Sequence, residues 1–311
     1  MIVSIIGANG MLSMALTKFY YGMPGYIVNV YGLDAPVGYF CDGFTKVDLV
    51  QESIDYASIA DSDVVFYASG AGVQAALITP PDLMYNLNVS IPIRITQGLI
   101  RSGFKGVFVS FGSYMEIGLN DVEEKAFTEE EVICSHLPVT NDYALSKRLF
   151  GRYMFDFRPP YCAYHFVLPN LFSQDDLKPG TRLVPYVLQY LQRVCAGDNP
   201  EAPSFSAGLQ ARQFVTLEEM IEVINVAINK RIPTGVYNVG GGDYIRIREL
   251  IERLFALYGV PCKDEYFGKE VRRDGDIRSL RISGEKLRVL IGRLPEKTIE
   301  EIFSRDNTYA Q

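Results

Sequence analysis

Tyr143 and Lys147 lie four residues apart in Asp142-Tyr143-Ala144-Leu145-Ser146-Lys147, a spacing that puts a phenol and an ammonium on one face of a helix. A positive charge held near a phenol favours the phenolate and lowers the tyrosine pKa from its usual ~10 toward neutrality, by roughly 3 units or about 4 kcal/mol. Tyr143 is then a general acid/base. Some thirty residues upstream, Val107-Phe108-Val109-Ser110-Phe111-Gly112-Ser113 reads as a buried strand ending in hydroxyls, with Ser113 placed to hydrogen-bond the same substrate oxygen. Tyrosine and lysine at this spacing also occur as an ordinary solvated pair. What distinguishes this pair is its place behind a hydroxyl-ended strand and an N-terminal glycine turn.

That turn, Gly7-Ala8-Asn9-Gly10-Met11-Leu12-Ser13, follows the apolar run Ile2-Val3-Ser4-Ile5-Ile6. Gly7 lets the chain reverse sharply at the strand's end, and Gly10 lets the backbone approach a pyrophosphate that rests on the first amides of the next helix. Gly7, Asn9, Gly10, Met11 and Leu12 are therefore expected cofactor-binding residues, although Ser13 stands where a third glycine is usual. A second apolar run, Tyr26 to Leu33, leads to Asp34, placed to accept hydrogen bonds from an adenosine ribose. Asp34 is followed by Ala35, with no arginine at the turn, and would repel a 2'-phosphate. NAD is expected rather than NADP.

The chain of 311 residues is 48% apolar and 22% charged, a composition that buries a large core. Its net charge of -7 argues against nucleic acid or an anionic membrane as the main partner, while a local basic pocket for phosphate stays possible. No apolar run reaches the ~18 residues of a spanning helix. The chain opens on its first strand, so no leader is expected. Five cysteines (Cys41, Cys134, Cys162, Cys195, Cys262) without a CxxC pair fit a reducing, cytoplasmic compartment. With only His136 and His165, neither a metal site nor histidine catalysis is expected. A homodimer is expected.

Strand signals at residues 45–49, 64–68, 107–111 and 163–168, with helical segments such as 84–99 between them, alternate as in a parallel sheet covered by helices on both faces. Residues 173–212 read as loops and lids with one amphipathic helix near 184–194. Thr216-Leu217-Glu218-Glu219 is a capping box, and Leu217, Met220, Ile221, Ile224 and Ile228 form one apolar face behind it. A strand at 236–239 runs into Gly240-Gly241-Gly242, which lacks the phosphate-loop pattern and reads as a plain turn into a helix over 245–258. Residues 305–311 read as a frayed tail.

From Met1 to about residue 300 the chain resembles the extended short-chain dehydrogenases/reductases of the NAD-dependent epimerase/dehydratase group, which act on nucleotide-activated sugars. Ser113 stands five residues before Gly118, as the hydroxyl member of that group's triad does, and Tyr143 and Lys147 supply its YxxxK. Matched residue by residue, the resemblance implies that Asp48 and Leu49 lie beside adenine and that Ala68, Ser69, Gly70 and Pro169 line the cofactor. Lys147 would also hold the nicotinamide ribose. Asn170, Arg212 and Arg273 would face the sugar-nucleotide diphosphate, and Asp276 the nucleoside ribose. Two guanidinium forks on two phosphates make physical sense, because the fork matches phosphate oxygens bidentately.

The resemblance implies a Rossmann-type doubly wound α/β fold: an NAD-binding domain over 1–170 and a smaller sugar-nucleotide-binding domain over 171–311, whose strand at 236–239 returns to the main sheet. Departures are Ser13, Ile117 for a tyrosine, and Ser173 for a glycine. Where dehydratases carry an acid two places after the hydroxyl residue, this chain has Met115, and Glu116 in an extended segment would point the wrong way. Dehydration at C4–C6 is thereby disfavoured. The expected activity is a sugar-nucleotide 4-epimerase. The alternatives are an NDP-4-keto-hexose 4-reductase and, in another class, a non-catalytic nucleotide-binding or scaffold subunit.

Overall fold

The structure, a computed structural model, describes residues 1–72, 79–173, 182–272 and 277–303. Arg273, Asp276 and the 305–311 tail lie outside the described residues. The chain alternates from its start: β1 (Ile2–Ile6), α1 (Met11–Tyr21), β2 (Ile27–Gly32), β3 (Gly43–Lys46), α2 (Tyr56–Ala60) and β4 (Val64–Tyr67). Then come α3 (Pro81–Tyr85), α4 (Ile91–Arg101), β5 (Val107–Ser113), α5 (Glu129–Ile133), α6 (Asp142–Asp156) and β6 (Cys162–Leu168). The remainder is β7 (Asn170–Phe172), α7 (Leu183–Cys195), β8 (Ala211–Thr216), α8 (Leu217–Asn229), β9 (Gly235–Asn238), β10 (Asp243–Arg246), α9 (Ile247–Leu257), β11 (Ser279–Leu280), α10 (Glu285–Ile291) and α11 (Ile299–Phe303).

Seven strands form one parallel sheet in the order β3-β2-β1-β4-β5-β6-β9. This is a Rossmann-type sheet. Alternate residues feed opposite layers. Val3, Ile5, Val28, Phe66 and Val109 pack toward α1, α8 and α10, while Ile6, Tyr31, Val65, Tyr67 and Phe108 pack toward α2, α4 and α6. Strands buried on both faces must be apolar throughout, which is why β1, β4 and β5 stood out in the sequence. The strand order reverses between β1 and β4, and in open sheets of this kind the ligand crevice lies at that point, outside the strands' carboxyl ends. A second sheet sets β8 between β10 on one side and β7 with β11 on the other. Its core joins Phe172 and Phe214 to α7, α9 and α11. No helix among the described residues is long and apolar enough to cross a membrane.

Four local expectations are corrected. β3 ends at Lys46 instead of running through 49, because Asp48 starts a turn: its carboxylate accepts the Val50 amide at 3.0 Å and its carbonyl those of Gln51 and Glu52. The helix over 84–99 is broken by a wide π turn at Asn86–Ser90, with the Ile91 amide bonded to Asn86 five residues back. Pro92 has no amide with which to continue the ladder. At α8 the Thr216 hydroxyl caps Glu219 at 3.1 Å, but the Glu219 carboxylate reaches the distant amides of Glu296 and Lys297. The triple glycine leads into β10 and not a helix. A Cβ at Gly242 would lie 2.1 Å from the Phe214 carbonyl, and one at Gly241 2.3 Å from that of Pro295.

Candidate active site

The glycine turn sits in the crevice. Gly7 has φ +121 and donates to Tyr31 at 2.7 Å; a Cβ there would lie 3.0 Å from Ala68 and Ser69, so the turn packs directly on the end of β4. Gly10 begins α1 with no side-chain cap and no acid in the first turn. Such a cradle fits an anion. Ser13 is fully buried and returns its hydroxyl to the carbonyls of Ala8 (2.7 Å) and Gly10 (2.9 Å), tightening the turn. The Asn9 amide is committed to the next loop, donating to Ala35 and accepting from Val37, both at 3.0 Å. Asp34 is exposed just beyond β2, while Leu49 is buried in the core layer.

Ser113, Tyr143 and Lys147 come together at the carboxyl end of β5, where α6 packs beside it. Every residue of β5 is buried up to Ser113. The Asn141 side chain caps α6 through the Ala144 amide at 2.9 Å, so Tyr143 falls in the first turn and Lys147 one turn later. Both face the loop after β4: Gly72 has room for no side chain beside Tyr143, and a Cβ at Gly70 would lie 3.7 Å from Lys147 Nζ. Lys147 donates to the Phe111 carbonyl at 3.0 Å and stands 6.0 Å from the centre of the Tyr143 ring. The expected lowering of the tyrosine pKa is not found. Burial pushes Tyr143 up to about 12, against a smaller downward pull from the Ser113 hydroxyl. Burial also pulls Lys147 down to about 8. At this distance and with its charge weakened, the ammonium does not offset desolvation of the phenolate.

Three polar residues around this site were given no place in it by the sequence. Asn88, in the π turn, is 2% exposed and grips Ala71 from both sides (3.0 Å and 2.9 Å) while donating to Ser146 at 2.9 Å, so it ties the loop after β4 to α6. Its signal was a polar residue within an apolar helical run ahead of a proline. Glu116 does not point away from an extended segment. Residues Tyr114–Ile117 form a 3-10 turn, which carries its carboxylate back to the Ser113 amide at 2.6 Å. His165, on β6, is fully buried with Nδ1 2.9 Å from the Ser110 hydroxyl.

On the second sheet, Asn170 opens β7, follows the buried Pro169 and pairs with Phe214. Arg212 is 4% exposed. Its guanidinium donates to the carbonyls of Ala211 at 2.7 Å, Ile277 at 3.1 Å and Arg278 at 3.5 Å. It therefore pins the backbone that follows residues 273–276.

A parallel sheet with a strand-order reversal, an uncapped glycine turn at the reversal and a hydroxyl, phenol and ammonium beside it define an α/β fold of the dinucleotide-binding class. The chain belongs to the NAD dependent epimerase/dehydratase family, whose profile matches residues 3–240. Among solved structures it is similar to UDP-glucose 4-epimerase from Thermotoga maritima with UDP-glucose, at 18% identity and TM-score 0.80 over 99% of this chain and 98% of that one. It is similar to dTDP-glucose 4,6-dehydratase DesIV from Streptomyces venezuelae with NAD and TYD bound, at 17% identity and TM-score 0.76 over 99% and 96%. RMD from Pseudomonas aeruginosa complexed with NADPH matches at 18% identity and TM-score 0.73 over 99% and 97%. These likenesses are of fold. No curated protein matches the sequence.

Proposed function

We propose that this chain is an NAD-dependent enzyme of nucleotide sugars, a sugar-nucleotide 4-epimerase, with Tyr143 as its acid/base. The observation that carries the reading is the meeting of Tyr143 and Lys147 on the loop after β4, next to the uncapped glycine turn, with the Ser113 hydroxyl beside the phenol. The amides of Gly10, Met11 and Leu12 would hold the pyrophosphate, Asp34 the adenosine ribose, Lys147 the nicotinamide ribose, and Ala68, Ser69 and Gly70 the wall between. NAD, when bound, supplies the hydride acceptor and donor. Tyr143 takes the proton of the sugar hydroxyl and gives it back, while Ser113 steers that oxygen. Residues 171–311 would form the sugar-nucleotide side, with Asn170, Arg273 and Asp276 facing the nucleotide and Arg212 acting through the backbone it pins.

Glu116 is turned under Ser113 and Met115 carries no acid, which supports epimerisation over 4,6-dehydration. A second reading is 4-keto reduction, in which Tyr143, raised by burial, would donate its proton to a ketone oxygen. The test is to identify the dinucleotide that copurifies and to follow UDP-, dTDP-, GDP- and CDP-sugars by NMR. Interconversion of C4 epimers without added reductant is the expected result. Stoichiometric consumption of NADH by a 4-keto sugar would establish the reductase, and binding without turnover the non-catalytic subunit.

A further inference from the structure

We propose that Glu116 is a positioning residue of this site, a buried carboxylate that fixes Ser113 through its amide and serves as the counter-charge of Lys147. The inference rests on the functional reading of Ser113, Tyr143 and Lys147 above. Glu116 has no exposed surface. Its Oε1 accepts the Ser113 amide, and the Ser113 hydroxyl accepts the Met115 amide at 3.3 Å, so the two side chains close one turn on each other.

The space for this carboxyl is made by two glycines. A Cβ at Gly112 would lie 2.6 Å from both Glu116 Oε1 and His165 Nε2. A Cβ at Gly151 would lie 2.8 Å from Glu116 Oε2 and 3.3 Å from His165 Nε2. Neither Oε2 nor Nε2 has a hydrogen-bond partner among the described residues. A buried carboxylate without an ion-pair contact must be compensated through space or be protonated.

The ionisable groups around it come from two elements: Tyr143, Lys147 and Arg148 on α6, and His165 on β6. Arg148 already gives its guanidinium to the carbonyls of Glu116, Ile117 and Leu137. Lys147, one turn before Gly151, is the ammonium whose charge most needs support. Burial draws it down to about 8, and Glu116 pulls it back up. Glu116 itself is raised to about 7 by burial. His165 stays neutral, held down to about 3 by burial. With Ser110 on Nδ1, its two tautomers offer either an N–H or a lone pair at Nε2, which suits either charge state of Glu116.

The test reads Lys147 directly. In protein carrying 13C at the lysine Cε, with Lys147→Met to identify the resonance, the ammonium is titrated in wild type and in Glu116→Gln, which keeps the Ser113 cap and removes the charge. The expected result is a Lys147 pKa lower by about one unit in the variant, which stays folded across the titration. The alkaline limb of the rate profile should move with it, kcat falling more than KM rises. An unmoved Lys147 titration in folded Glu116→Gln overturns the proposal. Should that variant fail to fold, wild type decides. The Lys147 resonance must inflect where Glu116 ionises, followed on 13Cδ-labelled glutamate, and a single smooth curve overturns the proposal equally. The titration needs no turnover. Absence of activity on every nucleotide sugar would therefore defeat the functional reading and leave this one standing.

Discussion

Near the end of β5 the phenol of Tyr143 makes no backbone hydrogen bond among the described residues, whereas on β8 the guanidinium of Arg212 is bonded to backbone carbonyls. Asn141 and Asn88 fix the frame around Tyr143 and Lys147, and the phenol is left uncommitted to the main chain among the described residues. On β8, Arg212 spends its guanidinium on three carbonyls, and Gln213 both donates to Gly241 and accepts from Ile282, each at 2.9 Å. Both segments lie within the part of the chain that the family profile matches.

The largest expected effect tests the first region. Tyr143→Phe keeps the ring and removes the proton, so turnover should fall ~100 to 10,000-fold while the melting temperature and dinucleotide affinity hold. Near-normal turnover of the best substrate would break the assignment. Arg212→Ala tests the second. Losing charge-assisted bonds to buried carbonyls should cost about 3 kcal/mol of stability, with any loss of substrate affinity following from that. A variant as stable as wild type that binds nucleotide sugar far more weakly would make Arg212 a direct ligand and erase the contrast.

Legibility followed the same division. The glycine turn, the apolar strands and the Tyr143–Lys147 spacing were readable because they depend on neighbours in sequence. The carbonyl bonds of Arg212 were not readable, because those partners lie some 66 residues away at Ile277 and Arg278. Glu116 was misjudged because alternation holds for strands, and a 3-10 turn begins at Tyr114. The raised Tyr143 pKa was invisible because spacing reports a nearby charge and says nothing of burial.

A smaller effect concerns the wall behind Ser113. His165 is lowered from 6.5 to about 3, so the stability it contributes is full above pH 6.5 and is lost as pH falls. Glu116 is raised from 4.5 to about 7, so its contribution is full below pH 4.5 and is lost as pH rises. Between pH 4.5 and 6.5 the two slopes oppose, each at most about 1.4 kcal/mol per pH unit. Glu116→Gln should then show a melting temperature that rises with pH across this window, and His165→Gln one that falls. Parallel curves for both variants would show that the pair does not titrate as described.

The smallest effect falls on Asp34, which sharpens the contrast because it is the uncommitted kind of side chain on an exposed loop. Asn9 and the Tyr39 hydroxyl, which donates to Ala8 at 2.8 Å, hold this loop against the glycine turn. Its carboxylate has no hydrogen bond or ion pair among the described residues, so substitution should leave the fold intact. Hydrogen bonds from a ribose to an exposed carboxylate are worth about 1 kcal/mol net, so Asp34→Ala should weaken NAD by about fivefold to tenfold. The same change removes repulsion toward a 2'-phosphate, so NADP should bind no worse or slightly better, and the preference for NAD should narrow from both sides. Dissociation constants for both dinucleotides in wild type and variant measure this. Wild type binding NADP more tightly than NAD would show that Asp34 does not read the ribose, and the N-terminal crevice would then specify the phosphates alone.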